Sequence, residues 1–443
     1  MKQEEIPPYV VGLGVKYGAT DVVVELVELD RTMIRFSNNE VTASKSFREC
    51  LVNIFVMLEK QRAGSTIGVL SAEALERTVK KLIKMAKISP PADVYAPLPQ
   101  GPFQYDPSLL KPSQVLLDPN KLINYVREAI NGASELGAVR VAGSLIATNA
   151  RVVLETSRQA SAMQRGSSLE VSVRAFTSDV ASGHSVSIAQ SERDFQPAEA
   201  GRLAGEIAKM ALNPQLGEPG RYTALLSPLV FGHFVNEMGI LSSAFLVDAG
   251  QSFLTDKIGL SVASERFTLI DDPTLRDTYG TRAFDDEGVP AKRNVIVQNG
   301  TLKTYLHNST TAKKFDVKTT ANAGLIVPSP WNLVVEPGEK TFEEMLSGID
   351  EGIYVTNDWY LRYQNYRRGD FSTIPRDGIF RIKNGQISNP VRDLRISDNM
   401  LRIFQNIREL SMPRLWVRWW EVSIPTLTPY AVIEGLNFTR STM

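Results

Sequence analysis

SAEALERTVKKLIKMAK, residues 71–87, is where the hydrophobic pattern of this chain changes period. Upstream, residues 21–70 read as strands. In Asp21–Phe36, Val22, Val24, Leu26 and Ile34 alternate imperfectly with Glu25 and Arg35. Ser37-Asn38-Asn39 is a turn, a second run follows it, and Cys50–Met57 is a third. From Ser71 the spacing is helical. Leu75, Val79, Leu82, Ile83 and Ala86 share one face, and Ser71 is placed to cap the helix. A strand block followed by an amphipathic helix points to an α+β fold.

Downstream, Pro90, Pro91, Pro97, Pro99, Pro102, Pro107 and Pro112 each remove a backbone donor and fix φ, which predicts an extended surface crossing. A second helix opens at Asp118-Pro119, carries Leu122, Ile123, Val126 and Ile130, and stops at Gly137. Strands run from there through Phe176, and a helix from Pro197 to Leu212 closes the half. NPQLGEPGR at 213–221 marks the domain boundary. The expected organisation is an α+β subdomain at 1–90, a Pro-rich linker at 91–116, a second α+β subdomain at 117–215, and a mostly β C-terminal domain with short helices at 220–443. In that last domain VQNGTL (297–302) and IKNGQI (382–387) read as hairpins, because Asn-Gly supplies the positive φ of a type I′ turn.

Composition bounds the function. The chain has 443 residues, 43% hydrophobic and 22% charged, ordinary for a globular protein. Lys+Arg and Asp+Glu stand at 49 each, and no run of five basic residues occurs, so nucleic acid is not an expected partner. Cys50 is the single cysteine, which excludes an intrachain disulfide and thiolate zinc sites needing two. MKQEEIPPYVVGLG lacks the basic start and apolar run of a signal peptide, and no apolar run approaches the ~18 residues of a membrane span, so a cytoplasmic protein is expected.

Four stretches carry chemistry. In FGHFVNEMG (231–239), His233 and Glu237 are i and i+4 and share a helix face, as zinc ligands or as a hydrogen-bonded pair; a metal site would need a further ligand such as His184 or His307. In FDDEGVP (284–290), Asp285, Asp286 and Glu287 before Gly288 suit either a hard cation or a tight turn. RRGDFS (367–372) sets Gly369 beside Asp370, followed by Phe371 and Ser372, as a close-approach loop or a solvated turn. In WVRWWEV (416–422) a strand would put Trp416 and Trp420 on one side and Trp419 on the other, as core or as a subunit contact. No G-x-S-x-G, G-x-G-x-x-G or Walker loop occurs.

Taken in order, FGHFVN, SSAFLVDAGQSFLTDKIG, AFDDEGVPAKRNVIVQNGTLKTYLHNSTTAKK, GDFS and GIFRIKNGQI resemble the TldD/PmbA family, the "modulator of gyrase" proteins, over roughly residues 220–400. The resemblance implies a pair of subunits forming a metalloprotease. The TldD-type subunit carries H-E-x-x-x-H, whose histidines hold zinc with a later cysteine and whose Glu is the general base. Laid on this helix, that motif falls on Gly232, His233 and Glu237, all changed, and Cys50 lies in the wrong half. The chain therefore resembles the PmbA/TldE type, with no metal of its own and zinc expected in a TldD-like partner. Implied partners are that zinc subunit or a second copy of the chain, and an extended peptide substrate. Asp285, Asp286, Glu287, Gly288, Gly369, Asp370, Phe371 and Ser372 are the candidate substrate-binding positions. Two other functions compete: a self-sufficient metallopeptidase using His233, Glu237 and His307, and a regulatory binding protein of a gyrase or toxin system.

Overall fold

The computed structural model describes residues 2–110, 114–115 and 117–440. Helix α1, Ile6–Lys16, opens with Pro7 and Pro8 in its first turn, where a missing N–H breaks no helical bond. Those prolines hide the helix from pattern reading. Strands β1 (Asp21–Ser37) and β2 (Glu40–Leu58) form a long hairpin, with Asn38 and Asn39 at positive φ in its turn. The second and third runs expected there are this one strand. Its first half is mostly exposed, so no buried face imposes alternation. β3 (Gln61–Ile67) follows, then α2 (Ala72–Ile88), capped by Ser71 Oγ, which accepts from the Ala74 N–H at 3.3 Å. The apolar face of α2 packs with Val22, Val24, Leu26, Val52, Ile54 and Val56 of the hairpin.

The proline-rich stretch is more than a surface crossing. Leu98 and Leu109 are buried with Phe55, Leu154 and Phe284, and Pro107–Leu110 makes a helical turn. Proline removes the sheet-forming donors there, but the apolar side chains between prolines still find a core. Pro112, counted in that crossing, lies outside the described residues. Beyond it come α3 (Pro119–Ser134), β4 (Arg140–Thr156), β5 (Ser161–Phe176), β6 (Ser182–Ala189) and α4 (Pro197–Met210). Among the described residues the strands form an antiparallel six-stranded sheet in the order β3-β2-β1-β4-β5-β6. Segments 1–90 and 117–215 thus meet along β1 and β4. β6 escapes sequence reading because glycine, histidine and serines give it little apolar alternation. α3 and α4 cover one face through small residues. A Cβ on Gly201 would sit 2.0 Å from the Ala129 carbonyl oxygen, and one on Gly183 2.1 Å from that of Ala204.

The C-terminal half is strand-rich, as expected: β7 (Gly220–Leu226), α5 (Pro228–Leu241), β8 (Glu351–Asn365), β9 (Asp370–Lys383), β10 (Leu394–Asn399), β11 (Ile407–Trp419) and β12 (Val422–Arg440). β12, β7, β8 and β9 lie side by side. β10 pairs with both β9 and β12, so the ring of strands closes on itself. Closure removes open edges along these strands. Both Asn-Gly hairpins form, with Asn299, Gly300, Asn384 and Gly385 at positive φ. The core gathers Phe231 and Phe234 of α5 with Phe253, Phe267, Phe371, Phe404 and Phe438. The fold is α+β. Among the described residues no helix is long and apolar enough to cross a membrane.

The α3–α4 contact yields a prediction whose sign separates two effects. Helix propensity alone favours Gly201→Ala by about 1 kcal/mol. The collision with the Ala129 carbonyl reverses this, and we expect a net loss of about 1–3 kcal/mol, read as a lower urea midpoint at unchanged slope.

Candidate functional site

Helix α5 begins where Ser227 Oγ donates to the Thr356 carbonyl at 2.6 Å and accepts from the Val230 N–H at 3.4 Å. Pro228 occupies its first turn. The helix is apolar on nearly all sides, which is the pattern of an interior helix. Among its residues His233 is buried and polar. Its Nδ1 lies 3.0 Å from Asp358 Oδ2 on β8, which also accepts from Thr373 Oγ1 of β9 at 2.7 Å. Its Nε2 lies 3.9 Å from Glu421 Oε2, in the turn joining β11 and β12. Glu421 also accepts from the Tyr360 N–H at 3.0 Å. Burial alone would push the His233 imidazole down, but the carboxylates of Asp358, Glu237 and Glu421 outweigh it and raise its pKa above the ordinary value. Burial raises Glu237, against the opposing charge of His233. Tyr363 faces Glu237 without closing a hydrogen bond.

A second polar chain runs beside the first. His184 on β6 has Nε2 at 2.9 Å from Ser172 Oγ and Nδ1 at 3.0 Å from Asn357 Nδ2. Asn357 Nδ2 also donates to Asp377 Oδ2 at 3.1 Å, and Arg174 Nε and Ser182 Oγ donate to Asp377 Oδ1, each at 2.6 Å. Burial pushes His184 down to about 4, so it is neutral near pH 7. Since Nδ1 accepts from Asn357, Nε2 carries the proton and points it at Ser172. Ser172 therefore has no base beside it, and the Ser–His pair is structural. Trp419 joins the two chains, with its ring 5.1 Å from His184 and 6.4 Å from His233.

The sequence candidates fall in four places. His233 and Glu237 share a helix face as expected. His307 instead packs against Tyr305 and Phe315, and burial pushes it down to about 4. Cys50 is half-exposed on β2. Asp285 is fully buried: one carboxylate oxygen accepts from the N–H groups of Glu287 and Val289, the other from Ala323. Gly288 is at positive φ, and its carbonyl accepts from Tyr105 at 2.8 Å. Glu287 caps the turn at Ser309, and Asp286 pairs with Arg282. This segment meets β1 of the other sheet. There Glu25 is pushed up to about 8 by burial and by the Asp286 carboxylate, and Arg282 opposes the shift. Burial raises Glu287 to about 7. In the last stretch Gly369 is at positive φ, and Asp370 is held below the usual carboxylate range by Asn399 and Arg368. Phe371 points into the core 5.4 Å from Phe234, and Ser372 Oγ accepts from Arg395 at 3.1 Å. In the tryptophan stretch Trp419 is buried, while Trp420 lies in the turn and is 82% exposed. Sequence reading missed Asp358, Thr373, Glu421, Asn357 and Asp377, which come from three separate segments: β8, β9 and the turn between β11 and β12.

Against known proteins, a model of the PmbA/TldA metallopeptidase C-terminal domain matches residues 219–440. The chain belongs to the PmbA/TldD family. A metalloprotease of Methanothermobacter thermautotrophicus is 34% identical over 215 residues, 47% of this chain and 47% of that protein. A metalloprotease of Methanocaldococcus jannaschii is 35% identical over 218 residues, 45% of this chain and 46% of that one. The matched region thus spans about half the length of these relatives. Among solved structures, TldE from Thermococcus kodakarensis superposes with a TM-score of 0.86 at 18% identity, covering 98% of this chain and 99% of that one. A Thermotoga maritima protein named for modulation of a DNA gyrase gives 0.85 at 23% identity, covering 99% and 100%. These likenesses concern the fold.

The resemblance lays the zinc motif on α5, at Gly232, His233 and Glu237, and in that alignment the residues present do not fit the ion. At the first histidine position stands Gly232. A Cβ there would lie 2.7 Å from Val417 Cγ2 and 3.1 Å from Thr428 Cγ2, so an imidazole would have to push those side chains aside. At the position of the general base stands His233, whose Nδ1 is engaged by Asp358. At the second histidine position stands Glu237. Among the described residues no group of three or more His, Cys, Asp or Glu side chains has an arrangement that would hold a metal ion.

Two predictions follow from this electrostatic layout. Asp358→Ala removes the hydrogen-bonded partner of a buried imidazole and leaves only the more distant Glu421 and Glu237 carboxylates, and we expect it to cost about 3–5 kcal/mol in denaturant unfolding. Glu25 binds its proton up to about pH 8 when folded, against 4.5 as the ordinary value. Its contribution is therefore complete below about pH 4.5 and is lost as pH rises toward 8. Glu25→Gln should flatten the decline of unfolding free energy between pH 5 and 8, leaving the slope that Glu287, Asp271, Asp285 and His233 contribute in the same direction and that His184 and His307 oppose at the acidic end.

Proposed function

We propose that this chain is the PmbA/TldE-type, non-catalytic subunit of a TldD–TldE metalloprotease. In this reading zinc and the general base reside in a TldD-type partner. The present chain supports that partner and helps to present unfolded or peptide substrates in extended form. The observation that carries the reading is the crowding at Gly232. Zinc-assisted hydrolysis needs ligands around an open metal position and a base to deprotonate the bound water. In the alignment that the resemblance implies, the first ligand position is crowded by the Val417 and Thr428 methyls, and the place of the base falls to an imidazole held to Asp358. The match to the family's metallopeptidase domain supports the class of reaction, and the whole-chain likeness to a TldE structure supports the subunit type.

The test is reconstitution with a zinc-loaded TldD-type subunit. We expect the chain alone, after dialysis against a weak chelator, to carry far less than one zinc per molecule and to leave an unfolded peptide uncut. Mixing should yield a stable complex that cleaves it, at a rate well above that of the zinc subunit alone. About one zinc per chain, or cleavage by the isolated chain that is lost in His233→Ala, would overturn the proposal in favour of a self-sufficient metallopeptidase.

A further inference from the structure

The chain balances 49 basic residues against 49 acidic ones, yet two surfaces far apart in the fold depart from that balance in opposite directions. The first is the outer face of α2. Leu75, Val79, Leu82, Ile83 and Ala86 are buried, which leaves Arg77, Lys80, Lys81, Lys84 and Lys87 in solvent. The acids of this helix are Glu76, 2.9 Å from Lys80, and Glu73, 4.0 Å from Arg77. Among the described residues Lys81, Lys84 and Lys87 pair with no carboxylate. The Tyr17 ring lies near both Lys16 and Lys80, so the end of α1 adds a further cation. The adjoining β3 contributes Arg62 and no acid. The turn before it, Glu59-Lys60, adds one charge of each sign, and Asp93 beside it is held by Lys314.

The second surface is the stretch from Glu336 to Glu351. Glu336, Glu339, Glu343, Glu344, Asp350 and Glu351 are all exposed there, while Met345 and Ile349 anchor it in the core. Four cations stand near it. Lys340 and Arg408 are answered by Glu409 and Glu434, so Arg414 and Lys383 alone offset the six acids. The two surfaces do not meet within one chain. α2 packs over β1 and β2 near one edge of the six-stranded sheet. The acidic stretch packs on Ile207 and Met210 of α4, at the β6 edge. Five strand spacings put those edges about 24 Å apart.

We propose that the basic face of α2 docks, head to tail, on the acidic stretch 336–351 of a second copy of this chain. Charge complementarity selects the occupant, since each surface finds its opposite on another copy. Apolar contact is available beside the charges. At the end of α2, Met85 is exposed and Ile88 is 84% exposed. On the acidic side Met412 is 56% exposed, and its N–H donates to the Lys340 carbonyl at 2.7 Å. Each ion pair of such a contact is solvated and contributes little. Complementary fields instead steer the encounter, fix its register and fade with salt. The contact is therefore reversible and salt-sensitive. It joins different surfaces of the two copies, so it closes into a pair or ring where the rotation permits and otherwise continues as a chain. It uses neither α5 nor the His233 cluster, and it is independent of the proposed subunit role.

The test is sedimentation velocity of the purified full chain over a range of concentrations. At about 20 mM sodium chloride we expect a sedimentation coefficient that rises with concentration. At about 1 M, where the Debye length is about 3 Å, it should stay at the monomer value. Two charge-reversed chains make the test specific. Lys81→Glu with Lys84→Glu reverses the basic face, and Glu339→Lys with Glu343→Lys reverses the acidic one. Each double variant alone should remain monomeric at low salt. An equimolar mixture should associate again, to within about threefold of the unaltered chain, because each reversed surface then meets its opposite. Recovery in the mixture also shows that both variants are folded. A chain that is monomeric at low salt, association that survives high salt or either reversal, or a mixture that stays monomeric would each overturn the proposal. So would a chain that uses these residues only to bind a TldD-type subunit. Zinc content and peptide cleavage, measured separately, are not touched by any of these outcomes.

Discussion

A buried imidazole whose charged form is supported by facing carboxylates constrains the C-terminal half. Desolvation opposes charge at His233, so the position holds only if carboxylates face it from more than one direction. Asp358 comes from β8, Glu237 from one turn along the same helix, and Glu421 from the turn between β11 and β12. Three structural elements are thereby fixed relative to one another. Asp358 is in turn oriented by Thr373 of β9, which carries the constraint into the closed ring of strands. The glycine beside His233 belongs to the same arrangement. Because Gly232 has no side chain, α5 approaches β11 closely enough for Val417 to fill the space.

The two halves of the chain meet through polar groups as much as through apolar ones. Arg174 of β5 reaches Asp377 of β9, and Arg418 of β11 pairs with Glu170 of β5. At the other end of the contact, Glu25 of β1 lies against Asp286 and Arg282. Burial first, and then the neighbouring carboxylates, favour the protonated form here, so Glu25 and Glu287 both lie well above the usual range. The acidic FDDEG segment thus acts as a seam between sheets. Its three carboxylates are spent on local amides, on Arg282 and on the Ser309 turn.

Much of the architecture was legible in the sequence because it depends on local chemistry. The cap at Ser71, the proline at the start of α3 and the two Asn-Gly hairpins each act within a few residues, and each is present. Elements without a local signal were not legible. β6 has serines where a strand pattern needs apolar alternation, and α1 begins with consecutive prolines. The site divides in the same way. Spacing placed His233 and Glu237 on one helix face, since i and i+4 suffice for that. It could not supply Asp358, Thr373 or Glu421, because strand pairing brings those residues to the helix from 125 or more positions away. Nor could it show that Gly232 is crowded, which depends on what stands opposite.

A helix that carries a metal motif must leave one side open, because a catalytic ion needs a coordination site for water and substrate. A helix free of that demand can be packed on all sides, and α5 is buried almost throughout. The residues at the motif positions then contribute to stability: a glycine permits close approach, and the His–Asp pair ties the helix to the sheet. What remains open lies beyond the first turn of the helix, along the edge of β6. An edge strand in a cleft is a liability, since it offers a template to any extended chain. Here the edge is flanked by α4 on one side and β11 on the other, which blocks flat sheet-to-sheet association.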